Sequence, residues 1–151
     1  MNSAIKNIVP FKGYGEFLFY QSVNEAKTVI KNHSMKYTSE VWKNNECTNP
    51  VPWTIIRIED NIQLFFANDK LFKIYLSNGC NAKLSNGISI GMKLDEALAI
   101  DPDLEYDDWE EDYQSPHGYS LEDDLDNGTV MSITIFIKEA LDEELFEKYN
   151  W

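Results

Sequence analysis

The sequence predicts an α+β fold: a mainly antiparallel sheet of about seven strands, with helices packed on one face. Three observations carry this. Residues 53–79, WTIIRIEDNIQLFFANDKLFKIYLSNG, hold three runs of branched and aromatic residues cut by Asp60-Asn61 and Asn68-Asp69. Short polar turns between such runs make an antiparallel meander. Residues 129–138, TVMSITIFIK, alternate so that Met131, Ile133, Ile135 and Ile137 share one face and Val130, Ser132, Thr134 and Phe136 the other. Between these β segments lie two apolar stripes at helical spacing.

Taken in order, Gly15–Tyr20 reads as a short aromatic strand. Ser22 followed by Glu25 is a capping box, in which each side chain satisfies a free backbone N–H of the other. Val23, Ala26, Val29 and Ile30 then place one apolar stripe on a helix of about 22–32. MKYTSEVW, residues 35–42, alternates as a strand, and CTNPVP is a loop because proline cannot donate in a central ladder. After the meander, SNGCNAKLSNG carries two Asn-Gly pairs and reads as a loop. GISIGMKLDEALAI is a brief strand, a glycine turn and a helix carrying Leu94, Ala97 and Leu98, which Pro102 prevents from extending far past Ile100. Strands at about 104–113 and 117–124 follow. Asp126-Asn127-Gly128 turns into the alternating strand, and the tail EALDEELFEKYNW reads as an amphipathic helix with Leu141, Leu145 and Phe146 inward.

Val23-Asn24-Glu25-Ala26 matches Leu94-Asp95-Glu96-Ala97, and each is followed by a strand bearing a tryptophan, Trp42 or Trp109. The chain thus reads as one domain, 1–151, with a degenerate strand–helix–meander repeat over 13–79 and 87–138. The chain is 43% hydrophobic and 13% aromatic. Its charge is therefore no sign of disorder.

That charge is polarised. Residues 1–93 carry eleven Lys/Arg against seven Asp/Glu, whereas residues 94–151 carry two against nineteen, so that a net −13 divides into +4 and −17. Such a carboxylate surface repels nucleic acid and anionic membrane and attracts cationic partners. No segment reaches signal-peptide or membrane-helix length, so the expectation is a cytoplasmic protein. Cys47 and Cys80 make no metal-type spacing and read as two free thiols.

Catalytic and metal signatures fail one by one. Glycosidase chemistry needs one carboxyl set apart as a raised-pKa acid, and among so many exposed carboxylates none is. DPDLEYDDWEED has Asp or Glu at several calcium-loop positions, but Tyr106 stands where the loop requires glycine, and in DDLDNG Leu125 occupies a ligand position. His33 and His117 have no Cys, Ser or second His at triad or zinc spacing, and Ser115-Pro116-His117-Gly118 reads as a solvated turn. No glycine-rich phosphate loop and no basic-aromatic stripe is present. The expectation is therefore a protein with no catalytic residues, cofactor or metal.

The acid run remains. Twelve Asp/Glu and no Lys or Arg lie between Asp101 and Asp126. If Leu104 and Tyr106 face the core, strand alternation turns Glu105, Asp107, Trp109, Glu111 and Tyr113 outward; on the next strand Tyr119 and Leu121 face in and Ser120, Glu122 and Asp124 out. A bulge near Asp108 would instead send Trp109 inward. An aromatic residue ringed by charge suits a hot spot for a basic partner. The predicted binding set is Glu105, Asp107, Asp108, Trp109, Glu110, Glu111, Tyr113, Glu122 and Asp124.

GISIGMKLDEALAI, the acidic Trp/Tyr-rich strands and NGTVMSITIFIKE, within residues 87–138, resemble immunity proteins of bacterial contact-dependent growth inhibition and related polymorphic-toxin systems. The doubled plan is similar in outline to tandem-repeat enzyme-inhibitor proteins. The resemblance implies a cytoplasmic antidote, not an enzyme, that binds the basic toxin domain of a cognate effector, often a nuclease. The antidote would be a monomer entering a 1:1 heterodimer and binding neither nucleic acid nor membrane. Two other functions compete: a nucleic-acid mimic that titrates a DNA- or RNA-binding host protein, and a carboxylate hydrolase.

Overall fold

A computed structural model describes residues 6–42 and 51–151, which leaves Cys47 and part of the predicted CTNPVP loop outside the described residues. The chain runs β1 (Lys6–Val9), β2 (Gly13–Tyr14), β3 (Phe17–Leu18), α1 (Val23–Asn32), β4 (Tyr37–Trp42), β5 (Trp53–Ile58), β6 (Ile62–Ala67), β7 (Lys70–Ser77) and β8 (Ala82–Leu84). It continues with α2 (Leu94–Ile100), β9 (Glu105–Asp107), β10 (Asp112–Ser115), β11 (Tyr119–Asp124), β12 (Thr129–Phe136), a 3-10 turn at Lys138–Leu141 and α3 (Glu143–Glu147). The class is α+β with mainly antiparallel pairing, as the patterning predicts.

The larger sheet has eight strands in the order β4-β5-β6-β7-β12-β11-β10-β9, every neighbour antiparallel. It is two four-stranded meanders, each preceded by a helix, that meet where β7 pairs with β12. The turns of the first meander fall where the polar pairs predict. Asn68 and Asp69 both have positive φ, 53° and 56°. This is the left-handed pair that a two-residue hairpin requires and that Asn and Asp tolerate best. The helix start is also as read: Ser22 accepts from the Glu25 N–H at 3.1 Å, and Glu25 accepts from the Ser22 N–H at 3.0 Å.

Strand parity fixes the two faces of this sheet, since directly paired residues point the same way. One face carries Ile56 and Ile58, Leu64, Ile74 and Leu76, Ile133 and Ile135, and Tyr119 and Leu121, all at or below 1% exposure. This is the core. Eight of these nine side chains are Ile or Leu, so truncating any one of the eight leaves a cavity.

Several expectations are corrected. Among the described residues there are twelve strands, not about seven, because short ones form a second sheet, β3-β2-β1-β8, with β1 and β8 parallel. Three-residue β8 lies inside the stretch that reads as loop, and Ile8 and Leu84 are registered opposite each other. Residues 15–20 are not one strand but part of a tight hairpin, β2–β3. Gly13 sits there at φ +152°, where a Cβ would meet the Phe17 carbonyl oxygen at 2.2 Å. Only glycine fits. The segment 104–113 is also not one strand: β9 and β10 are antiparallel partners joined by a turn at 108–111. The tail forms only five residues of α-helix. Leu141 and Leu145 are 51% and 47% exposed, while Tyr149 and Trp151 provide the buried anchors. Helical period misleads here because the aromatic side chains at the end of the segment bury more area than the leucines. Finally, the helices do not share a face: Phe146 of α3 packs on Phe72, whose ring lies against Trp53 and Phe65 on the face opposite Ile56, Leu64 and Ile74, as a second part of the buried cluster.

Candidate functional site: the open face of the eight-stranded sheet

The second face is the surface to explain. Register places Glu40 and Trp42 of β4, Trp53 and Arg57 of β5, Gln63 and Phe65 of β6, and Lys73 and Tyr75 of β7 on it. Across the junction follow Ser132 and Thr134 of β12, Ser120 and Glu122 of β11, Asp112 and Gln114 of β10, and Glu105 and Asp107 of β9. The face grades from aromatic rings through a belt of hydroxyls to carboxylates; at the aromatic end Ile55 and Phe65 are buried, and Phe72 is buried beneath Phe146 and Trp151.

A bulge sharpens the aromatic end. Phe65 pairs with Lys73 and Phe66 with Leu71, which leaves Phe72 as an extra residue that joins Lys73 on this face, buried beneath Phe146 and Trp151. Phe72 stands 4.9 Å from Trp53, ring centre to ring centre, and Trp42 stacks on Trp53 at 6.1 Å. The Lys73 ammonium lies 4.3 Å from the centre of the Phe65 ring, within cation–π reach. Burial holds the Lys73 pKa below its ordinary value, with the charge of Glu110 acting against the shift.

The sheet is curled. Trp53, Phe72 and Lys73 from the first meander line a cavity of about 350 Å³ together with Glu110, Gln114 and Ser120 from the second. β5 and β10 are five strand spacings apart, roughly 24 Å in a flat sheet at about 4.7–4.9 Å each. A cavity of this size cannot bridge that span unless the face is concave.

The acidic end is held by its own hydrogen bonds. Asp107 Oδ1 accepts from the backbone N–H of Trp109 (2.9 Å) and of Glu110 (3.0 Å), capping the β9–β10 turn. Glu111 closes that turn at φ 57°, and its N–H donates to the Asp107 carbonyl at 2.8 Å. Trp109, at the tip, is 91% exposed. It points outward as expected, but from a reverse turn and not from a strand. Glu122 accepts from Ser132 Oγ at 2.6 Å and lies beside Tyr75, whose phenol pKa is raised by burial and then by Glu122. Among the described residues, no Lys or Arg lies within ion-pair distance of any carboxylate from Asp101 to Asp126.

The predicted binding set therefore divides. Glu105, Asp107 and Glu122 lie on the open face; Asp108, Trp109, Glu110 and Glu111 form the hairpin tip. Asp124, half-buried at the end of β11, accepts from the Asp126 N–H at 2.9 Å in the next turn. Tyr113 is misplaced. It pairs with Tyr106 and Leu121 on the opposite face, and its ring lies 5.0 Å from that of Tyr106. Tyr106 is itself 49% exposed, not core, because the short edge strand carries it beyond the packed region. The error follows from reading a hairpin as one strand, which inverts parity after the turn. Sequence reasoning misses the aromatic half of the face altogether, although the alternation Lys73-Ile74-Tyr75-Leu76 already sets Lys73 and Tyr75 opposite the core residues.

Like charge costs this site stability. Burial raises the Asp112 pKa, and Glu110, Asp107 and Glu122 raise it further, against a lowering hydrogen bond from Gln114. A carboxyl with a raised folded-state pKa favours the folded state when protonated and disfavours it at neutral pH. Asp112→Asn should therefore raise the melting temperature at pH 7 by about 1–2 °C, allowing for its partial exposure. The gain should disappear at pH 3, where the wild-type carboxyl is also neutral. Thermal melts of both proteins at the two pH values check this.

Comparison of the chain with protein-family models, curated proteins and solved structures returns no match. No helix among the described residues is long and apolar enough to cross a membrane.

Proposed function

We propose that the protein is an immunity protein of the polymorphic-toxin type: a stoichiometric inhibitor that captures a basic toxin domain, a nuclease by preference, on the concave face and its hairpin tip. The observation that carries this reading is the β9–β10 turn. A tryptophan 91% exposed stands among Asp107, Asp108, Glu110 and Glu111, none of them paired with Lys or Arg among the described residues. Leaving so large an apolar ring in water forgoes several kcal/mol of burial, and such residues are the anchors of interfaces. A nuclease surface is cationic because its substrate is anionic, so clustered carboxylates compete for it and steer the encounter. Trp42, 41% exposed at the far end of the face, supplies further apolar area for slow release.

The cell is the first test. Co-expression with the toxin domain of the cognate effector should restore growth, and the Trp109→Ala/Glu110→Lys pair should fail to do so at equal protein level. Full protection by that pair would remove this surface from the mechanism. Steering gives a second expected result. Glu110→Lys should slow association about three- to tenfold at low salt, and the deficit should shrink as ionic strength rises past about 0.15 M. Stopped-flow traces at two salt concentrations measure this.

A further inference from the structure

Away from the open face, two loops converge on one spot. Asp101 follows α2, and Asp103 lies two residues on, past Pro102; His117 lies in the β10–β11 turn. In the sequence alone these are separate polar loop residues, since fourteen positions part Asp103 from His117. In the fold, one ligand atom from each lies within 4.8 Å of the others. His117 Nε2 is 2.9 Å from Asp103 Oδ2 and 3.9 Å from Asp101 Oδ1.

Asp101 is the unusual member, a carboxylate only 4% exposed. Its Oδ2 accepts from the hydroxyls of Tyr119 and Ser115, the latter at 2.7 Å, and its Oδ1 accepts from the Asp103 N–H at 3.0 Å. Asn86 Nδ2 donates to the Tyr119 oxygen at 3.2 Å, fixing the phenol in turn. The two hydroxyls occupy one oxygen and hold the other toward His117. Among the described residues no Lys or Arg lies within ion-pair distance, and the exposed His117 is the one basic group near this buried charge. Buried charges are paired or coordinate metals.

We infer that Asp101, Asp103 and His117 form a site for a divalent transition-metal ion, zinc by the donor set. One imidazole and two carboxylates suit zinc, and carboxylate–hydroxyl bonds of the Asp101 kind commonly orient such ligands. Ligands about 2.1 Å from one tetrahedral ion stand roughly 3.4 Å apart. The observed separations of 2.9 and 3.9 Å bracket that value. Asp103 and His117 are both exposed and free to adjust. The ligand atoms open onto a cleft of about 470 Å³ whose walls include Val9, Phe11, Leu84 and Ile100. Binding requires the neutral imidazole, with its proton on Nδ1.

The test is calorimetric titration of chelator-treated full-length protein with zinc chloride. One equivalent should bind at micromolar concentration. Asp103→Asn and His117→Ala, both surface changes that leave the metal-free protein folded, should each weaken binding at least tenfold. Asp108→Asn, in the acidic hairpin, should leave it as in wild type. The proposal falls if no stoichiometric binding occurs, if either ligand variant binds as tightly as wild type, or if Asp108→Asn weakens binding as much as they do. None of these results bears on toxin capture, which uses other residues.

Discussion

Replacing Trp109 with alanine should weaken toxin binding by about 2–4 kcal/mol, roughly 30- to 700-fold in Kd, and leave the melting temperature within about 1 °C of wild type. The two halves of this expectation have separate causes. Binding falls because an indole buries on the order of 150–250 Å² when a partner covers it, and central aromatic anchors carry a disproportionate share of interface energy. Stability holds because the side chain is 91% exposed. Its removal opens no cavity. The turn itself survives, since Asp107 caps it through the backbone N–H groups of Trp109 and Glu110, which alanine retains. Titration calorimetry beside thermal melts on the same preparation separates the two. A large drop in melting temperature would mean that the indole is packed in the free protein, and the assignment of an interface anchor would then be lost.

Asp101→Ala should act in the opposite way, with a loss of about 2–4 kcal/mol of stability and of roughly 5–15 °C in melting temperature. The substitution strands two buried donors, the hydroxyls of Tyr119 and Ser115, and the part-buried N–H of Asp103. Each costs about 1–3 kcal/mol when unsatisfied, and water entering from the adjacent cleft recovers part of it. Burial acts to raise the Asp101 pKa. The bonds from Tyr119, Ser115 and the Asp103 N–H, with His117 nearby, overcome this and hold it below the usual carboxylate value. A depressed folded-state pKa contributes stability above the unfolded value of about 3.9, and that contribution is lost as pH falls through the folded value. The wild type should therefore lose stability more steeply than Asp101→Asn below about pH 4. Parallel slopes for the two proteins in that range would show that Asp101 contributes no charge-dependent stability.

What could be read in the sequence was whatever is decided locally. The capping box at Ser22 and Glu25 needs only four residues to specify a helix start. The three strands between Trp53 and Ser77 are bounded by polar pairs that tolerate left-handed backbone, so their edges were legible to the residue or nearly so. What is decided at a distance was not legible. β8 exists because β1, more than seventy residues earlier, pairs with it, and nothing in Asn81-Ala82-Lys83-Leu84 announces that. The β9–β10 hairpin was hidden for a different reason. Its turn, Asp108-Trp109-Glu110-Glu111, lacks glycine and proline and is made by the Asp107 carboxylate, so an acid-rich turn looked like more acid-rich strand.

The site divides along the same line. Its acidic half was legible because twelve carboxylates without a cation are a composition, and composition survives an error of register. Its aromatic half was not, since Trp53, Phe72 and Lys73 reach Glu110 only through the bulge at Phe72 and the curl of the whole sheet. The cluster of Asp101, Asp103 and His117 depends on the same long-range closure.

The most direct test of the central claim is a calorimetric titration of this chain into the purified C-terminal toxin domain of the cognate effector at low salt, repeated with Trp109→Ala. The account predicts a 1:1 complex, tight enough to saturate at micromolar concentration and weakened at least about 30-fold by the substitution. Absence of binding at those concentrations, or a complex that Trp109→Ala leaves at full strength, would contradict it.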